Sequence, residues 1–458
     1  MGLDATLFYF ADIVFFVTYF IYKFAKRKLI FSCFNISQFT YFFSILISPV
    51  FYHVDEAWIA LGVTKPADYY KYLDQTLTIN SIGFIICTLT MAFVEFSKNK
   101  KGLSRLSKNA NKINTELLDT LFWVFIIVWY FIVLLFNKGL PLFNGGRTFL
   151  LGSLVSPIYQ ALNQIILLYT LYYGTVCVYQ TKTRFIDFIK IIVCFATLLF
   201  TGNRGTVIVN AFVPIALLFI IDRTKQKFNR PYSRARVIFS WRVHAFFKII
   251  IILVVAFFVG LILVSIRSNT SFNLYAMFRE IILGNTFSDM RDGAYILSGY
   301  DKLFGEQLLY GKTLIADILS FIPSAISPFM VEWRWGRFTT EMLFGMSDHF
   351  GLRGGNVMEA YLNFGVLGII FFAAAQGVLN GFLEKAYYYN YYVKDNRGDS
   401  KSAGCTMLTL TCFSSLSNLI TISSAVYNIY VCWIFFILIC IPIRFRRRNI
   451  YKFYNKVL

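Results

Sequence analysis

Charged side chains are scarce in this chain: they make up 15% of its 458 residues, whereas a typical soluble domain is about 25% charged. Hydrophobic residues make up 57%, and phenylalanine alone occurs 51 times. A single soluble core of this size cannot hide that much apolar surface. The shortage of charge therefore excludes an ordinary soluble protein.

Patterns that form disulfides or metal sites are also missing. None of the eight cysteines lies in the long hydrophilic segment and no Cys-x-x-Cys pair occurs, so we expect neither a disulfide framework nor structural zinc. The three histidines, His53, His244 and His349, are far apart, and no His-x-x-x-His or Glu-x-x-His pair occurs. The sequence predicts no metal site and no cofactor.

Long apolar runs account for most of the chain. Each is close to the about 20 residues that cross a bilayer as a helix. The first run follows Met1–Asp4 directly and precedes a basic cluster of predicted cytoplasmic residues, Lys23, Lys26, Arg27 and Lys28. This order is the reverse of a cleaved signal peptide, so we expect the run to be retained. The chain is predicted to be an all-α polytopic integral membrane protein with about 11 transmembrane helices, at about 5–22, 30–51, 76–96, 117–136, 153–179, 185–201, 206–221, 247–265, 357–382, 403–421 and 425–443.

The basic residues lie in clusters between these runs. If the N-terminus is outside, the six cytoplasmic segments hold 31 of the 44 lysines and arginines. Short cytoplasmic loops carry such an excess, so the charge pattern predicts an outside N-terminus and an inside C-terminus. The same pattern accounts for the net charge of +20. Nucleic-acid binding is not needed to explain this charge, and the sequence has no nucleic-acid-binding motif.

Three parts follow from this topology. Residues 1–265 contain spans one to eight with short loops, and residues 357–458 contain the last three spans and a basic cytoplasmic tail. Between them, residues 266–356 form one large extracytoplasmic loop that we expect to contain short helices, with amphipathic stretches at 274–283 and 313–322. A loop of this length is usually functional.

Arginines are frequent on the outer side, where positive charge works against the topology. A guanidinium group offers paired donors to phosphate and never deprotonates, so this set favours phosphate binding. The alternative is ion pairing with loop acids such as Asp289 and Asp292. Arg204 is the strongest candidate because glycines flank it at 202 and 205, which permits a tight turn at membrane depth. The candidates are Arg147, Arg204, Arg279, Arg291, Arg334, Arg337 and Arg353.

Two residues are candidates for a general base. Glu359 lies where the ninth span begins, and a partly buried carboxylate there could take a proton from a substrate. It could equally be a helix-start carboxylate that favours the positive end of the helix dipole. His349, the only histidine well inside the long loop, is either a base or a polar surface residue.

Three short motifs resemble those of the Wzy-type O-antigen polymerases, the oligosaccharide repeat-unit polymerases of bacterial inner membranes. The motifs are Gly-Leu-Pro-Leu-Phe ahead of Arg147, Thr-Gly-Asn-Arg-Gly at 201–205, and Gly-Asn-Val-Met-Glu-Ala-Tyr-Leu-Asn-Phe-Gly-Val-Leu-Gly at 355–368. The overall plan is similar along nearly the whole chain. Through the third motif, the resemblance adds Asn356 and Tyr361 to the substrate-binding candidates.

The resemblance implies a reaction at the periplasmic face. A growing glycan moves from undecaprenyl diphosphate to the non-reducing end of a new lipid-linked repeat unit. Lipid-linked oligosaccharides are then both donor and acceptor, no cofactor is needed, and a chain-length regulator and a flippase of the same pathway are possible partners. Fixed arginines stabilise the leaving diphosphate, and Glu359 or His349 accepts the proton of the acceptor hydroxyl.

Other functions stay open on sequence alone. An O-antigen ligase is similar in plan, but a histidine is expected at about the place where this chain has Glu359. A flippase or transporter for lipid-linked sugars usually shows repeats and paired broken helices, and we find no internal repeat. A non-catalytic scaffold of the assembly complex would tolerate loss of the outer arginines.

Overall fold

The computed structural model describes most of the chain, and its regular structure there is helical, without a strand. The described residues are 1–25, 32, 35–53, 64–97, 109–137, 139–143, 152–180, 184–203, 205–228, 287–322, 326–346, 351–394, 399–421 and 426–441, with isolated positions between 248 and 262. The principal helices are α1 (Leu3–Ala25), α2 (Ile36–Ile47), α3 (Tyr69–Phe96), α4 (Thr115–Phe136), α5 (Gly152–Tyr179), α6 (Phe185–Phe200), α7 (Val213–Phe228), α8 (Asp289–Phe304), α9 (Lys312–Ile318), α10 (Pro328–Trp333), α11 (Met358–Tyr387), α12 (Ser400–Ser414) and α13 (Val426–Cys440).

Six helices in the described part are long and apolar enough to cross a bilayer, which makes the chain a multi-pass, all-helical membrane protein. They correspond to six of the eleven predicted spans. Of the other predicted spans, the one at 247–265 lies almost wholly outside the described residues. The six helices are Leu3–Ala25, Tyr69–Phe96, Thr115–Phe136, Val155–Tyr179, Met358–Val393 and Ser400–Ile420.

Helix α1 shows why the fold suits a membrane. Its outward side carries large apolar side chains, among them Leu7, Phe10 and Val14, each at least 60% exposed. Its buried residues include Asp12, Tyr19 and Lys23. This arrangement is the reverse of a soluble amphipathic helix. Lipid can cover the apolar side, while the neighbouring helices receive the polar one.

Contacts between helix ends give the relative directions of the chain. Helices α1 and α3 are parallel, because Gly2 N donates to Asp74 Oδ2 at one end and Tyr19 Oη donates to Glu95 Oε2 at the other, both at 2.9 Å. Helix α11 runs the same way along α3, since Asn80 Nδ2 donates to the carbonyl oxygen of Gly354 just before α11 at 3.0 Å, and Lys385 Nζ near its end donates to the carbonyl oxygen of Ser97 at 2.6 Å. These three helices are odd-numbered predicted spans, for which alternation requires one direction.

Two clusters of buried hydrophobic residues hold the helices together. One contains residues of α4 to α7, α12 and α13, and the other contains residues of α1, α2, α3 and α8. Helix α11 contributes to both, through Leu383 and Tyr387 in the first and Met358 and Leu362 in the second. It therefore joins the two clusters and fixes the position of the residues at its own start.

The long hydrophilic segment folds back onto the helices. The N-terminal part of α8 is buried from Met290 to Tyr300, and Tyr72 Oη of α3 donates to Asp301 Oδ2 at 2.7 Å. The stretch predicted to be amphipathic at 313–322 contains α9 and a short 3-10 turn, Leu319–Phe321. The other such stretch, at 274–283, lies outside the described residues. The described part of this segment thus packs at the end of the bundle where α3 and α11 begin.

Candidate functional site

Helix α11 is broken at Gly365, and the break shapes the site. Gly365 has φ 63° and ψ −148°, a backbone region open essentially to glycine alone. The break frees the carbonyl groups of Leu362 and Asn363, which accept hydrogen bonds from the N–H groups of Leu309 (3.0 Å) and Tyr310 (3.1 Å). The start of α11 is thereby docked against the turn that leads into α9.

This docking brings together two pairs of polar side chains, each one helical turn apart. Thr313 and Asp317 lie on α9, and Glu359 and Asn363 lie on α11; residues four apart share one face of a helix. Asn363 Nδ2 donates to Thr313 Oγ1 at 2.7 Å. The Thr313 hydroxyl and the charged Asp317 carboxylate are both close enough to interact electrostatically with the Glu359 carboxylate. We refer to these four residues as the carboxylate cluster.

The carboxylate cluster is closed to solvent and poor in donors. Relative exposure is 0% for Thr313, Asp317 and Asn363 and 3% for Glu359. Both carboxylate oxygens of Asp317, both of Glu359 and Oδ1 of Asn363 lack a hydrogen bond of good geometry within the described part of the chain, although the backbone N–H of Trp335 lies near Asp317 and the Thr313 hydroxyl lies near Glu359. Buried polar groups are nearly always satisfied, and an unpaired buried carboxylate is costly. Such oxygens mark a place where a proton, a ligand or a cation belongs.

Asp317 has an altered acidity. Burial raises the pKa of Asp317 to about 6, and the charge of Arg334 and the backbone N–H of Trp335 offset only part of that rise. Asp317 was not among the residues chosen from the sequence. It lies in the amphipathic stretch at 313–322, and its spacing of four from Thr313 was the available signal.

Arg291 is held in the interior. Its side chain is fully buried, and its Nε donates to Asp292 Oδ1 at 2.9 Å. The other Asp292 oxygen accepts from Ser288 Oγ at 2.7 Å and from the backbone N–H of Arg353 at 3.3 Å. Ion pairing with a loop acid, which was the alternative to phosphate binding, is therefore what the structure shows for Arg291. This pair supports the segment that carries Arg353.

Arg353 lies at the surface close to another acid. It is exposed, whereas Asp289 is half-buried and accepts from Ser44 Oγ at 3.0 Å. Burial raises the pKa of Asp289 to about 6, and the charge of Arg353 and the Ser44 hydroxyl act in the opposite direction. The guanidinium group of Arg353 is thus accessible to a solvent-borne or lipid-borne anion.

Arg334 and Arg337 lie in the segment that neighbours Arg353. A Cβ atom on Gly336 would come within 3.8 Å of Gly351 Cα, so the two segments are in contact at this point. Arg337 forms an ion pair with Glu341, with Nη2 2.9 Å from Oε1, and its side chain is 40% exposed. An open cleft beside this pair is lined by Pro328, Val331, Glu332, Arg337, Glu341 and Met342.

The remaining candidates divide into two groups. Asn356 and Tyr361 are both half-buried near the start of α11, and Tyr361 packs against the hydrophobic cluster that includes α3. Arg147, Arg204, Arg279 and His349 lie outside the described residues. Of the predicted site, the structure therefore brings Glu359, Arg291, Arg334, Arg337 and Arg353 to one end of the bundle.

Few side chains in the described part could hold a metal by themselves. No three His, Cys, Asp or Glu residues come together there. The carboxylate cluster offers two carboxylates and, in addition, an amide and a hydroxyl oxygen. A search of family models, of curated proteins and of solved structures finds no match to this chain.

Proposed function

We propose that this chain is a membrane glycosyltransferase that polymerises lipid-linked oligosaccharide repeat units, as the O-antigen polymerases do. The observation that carries the proposal is the burial of Glu359 at the start of α11, at the same end of the bundle as the accessible Arg337 and Arg353. Phosphate recognition and proton transfer need these two kinds of group within one site.

The reaction is a displacement at the anomeric carbon of the growing chain. A hydroxyl oxygen at the non-reducing end of the acceptor repeat unit forms a bond to that carbon. The bond from the carbon to the undecaprenyl diphosphate oxygen breaks, and the diphosphate leaves with the electron pair. The acceptor proton passes to Glu359 or to His349, and the guanidinium groups neutralise the departing charge.

The arginines have different parts in this proposal. Arg337 and Arg353 are accessible and contact the diphosphate, and Arg334 adds positive charge close to Asp317. Arg291 is committed to Asp292 and keeps the backbone of Arg353 in place. Arg147, Arg204 and Arg279 are proposed as further diphosphate contacts, and Asn356 and Tyr361 as contacts to sugar.

The proposal includes a setting for the chain. We propose that the chain crosses the bacterial inner membrane eleven times, with the N-terminus in the periplasm and the C-terminus in the cytoplasm. The carboxylate cluster then faces the periplasm. Donor and acceptor arrive as undecaprenyl diphosphate conjugates within the bilayer, and a flippase and a chain-length regulator of the same pathway are the expected partners.

The deciding experiment uses the purified full chain in lipid nanodiscs with undecaprenyl-diphosphate-linked repeat units. We expect products of two or more repeats, and we expect Arg204→Ala, Arg337→Ala and Glu359→Gln to lose them while remaining folded. Arg184→Ala is the matched control, because Arg184 is exposed and precedes α6, at the predicted cytoplasmic end. The proposal fails if the wild-type chain makes no longer product, or if the three variants elongate as Arg184→Ala does.

A further inference from the structure

The carboxylate cluster has more acceptor atoms than a proton can serve. Five buried oxygens from Asp317, Glu359 and Asn363 lack a hydrogen bond of good geometry among the described residues, and the nearby Trp335 N–H and Thr313 hydroxyl could serve two of them at most. Two neighbouring carboxylates can share one proton, which satisfies two of these atoms. Asn363 Oδ1 at least would still be buried without a partner, and a buried acceptor without a donor carries a desolvation penalty.

The orientation of the Asn363 amide is fixed by its neighbours. Its Nδ2 donates to the backbone carbonyl of Glu359 at 2.8 Å as well as to Thr313 Oγ1 at 2.7 Å. A carbonyl oxygen can only accept, so the amide nitrogen must be on that side. The Oδ1 atom is therefore left as an acceptor, and turning the amide over would break the bond to Glu359.

A hard cation is the partner that suits two buried carboxylates beside an amide oxygen. Mg²⁺ and Ca²⁺ are bound by carboxylate and amide oxygens, and two carboxylates balance a charge of +2. We propose that Asp317, Glu359 and Asn363, with Thr313 beside them, form a binding site for a divalent cation of this class. The i, i+4 spacing on both helices and the complete burial of the residues supply a preorganised set of ligands.

The consequence for catalysis rests on the proposed function. A cation at this position adds positive charge next to Arg334, close to where a diphosphate would leave. Glu359 is then a ligand of the cation, and His349 is the residue that accepts the proton of the acceptor hydroxyl. The cation site itself does not depend on the reaction.

Terbium binding tests the site without any sugar substrate. Tb³⁺ replaces Ca²⁺ at oxygen sites, and Trp335, whose backbone N–H adjoins Asp317, can sensitise its emission. With the full chain in nanodiscs, we expect saturable emission that excess Ca²⁺ or Mg²⁺ displaces. Asp317→Asn and Glu359→Gln should each lower the affinity at least tenfold. Glu306→Gln, which removes an exposed acid near the same segment, should bind like the wild type.

Thermal unfolding of the same samples shows whether the variants are folded. Ca²⁺ or Mg²⁺ should raise the melting temperature of the wild type and of Glu306→Gln above its value in EDTA, and should not raise that of Asp317→Asn. The proposal is overturned if the wild type shows no saturable emission, or if Asp317→Asn binds as tightly as the wild type. If the chain binds Tb³⁺ but elongates no glycan, the polymerase proposal fails and the cation site stands.

Discussion

The side-chain amide of Asn80 donates a 3.0 Å hydrogen bond to the backbone carbonyl of Gly354. The same Nδ2 donates to the Thr76 carbonyl within α3, and Tyr41 Oη donates to the carbonyl of Asn80 at 2.7 Å. The segment that precedes Glu359 is therefore fastened to the buried side of α3. The start of α11 is held on one side by this contact and on the other by the break at Gly365.

Gly355→Ala should disturb this contact strongly. Gly355 has φ +86°, and a Cβ atom there would overlap the Asn80 side chain. Gly345→Ala is the matched control, because Gly345 has φ +64° and open space around it. The left-handed backbone alone costs about 1–2 kcal/mol of unfolding free energy, and the overlap should add about 1–3 kcal/mol for Gly355→Ala. Denaturant unfolding in mixed micelles measures both variants, and equal losses would contradict the contact.

Lys23 is predicted to contribute strongly to the stability of the fold. Its Nζ lies 2.9 Å from Glu384 Oε1 and 3.5 Å from Glu95 Oε2, and all three side chains are at most 1% exposed. Lys23→Met should destabilise the protein by about 3–5 kcal/mol, because removing one member of a buried ion pair strands the other. The measurement is the unfolding transition of the purified protein.

The control for Lys23 is Lys71→Met, which removes an exposed lysine and should change stability by about 0.5 kcal/mol or less. A second variant tests the cause. Adding Glu384→Gln to Lys23→Met removes the stranded charge and should recover part of the loss. No recovery would mean that Lys23 acts through packing of its side chain.

The pH dependence of stability should reveal Asp289. Burial raises the pKa of Asp289 to about 6 in the folded chain, while an unfolded aspartate titrates near pH 4. Between these values the folded state keeps a proton that the unfolded state has released, so the contribution to stability falls as pH rises and is constant above about pH 6. Asp289→Asn lacks this effect. The melting temperature of Asp289→Asn minus that of the wild type should therefore increase as the pH rises from 4 to 6. A difference that stays constant over this range would refute the raised pKa of Asp289.

The helical membrane class and the common direction of α1, α3 and α11 could be predicted from the sequence. Composition and run length alone indicate a membrane protein, because the bilayer imposes both. The parallel course of α1, α3 and α11 agrees with the alternation that the loop charges predicted. Glu359 was chosen as a candidate because it lies in the third motif and at a predicted helix start, and the structure buries it at the start of α11.

The carboxylate cluster could not be predicted, because its two helices are far apart in sequence. The break at Gly365 frees the carbonyl groups that dock the two segments together, and a sequence pattern does not specify that backbone conformation. Lys23 was interpreted as one of the cytoplasmic charges after the first span, and the structure buries it between two glutamates. A pattern of charges along the chain does not indicate which of them find a partner in the interior.

Gly365→Ala should separate the two halves of the cluster. Alanine cannot hold φ 63° and ψ −148° without strain of about 1–3 kcal/mol, so the helix should straighten. The carbonyl groups of Leu362 and Asn363 would then accept hydrogen bonds within the helix and no longer from Leu309 and Tyr310. Gly305→Ala is a close control, since Gly305 has φ 58° and ψ −129° and a Cβ atom there would meet no atom within 4 Å. Gly305 differs in its place, because it is the residue that ends α8. Both variants should lose stability. Only Gly365→Ala should also lose saturable Tb³⁺ emission, because only there do Asp317 and Glu359 move apart, and emission that survives in Gly365→Ala would show that the break does not assemble the cluster.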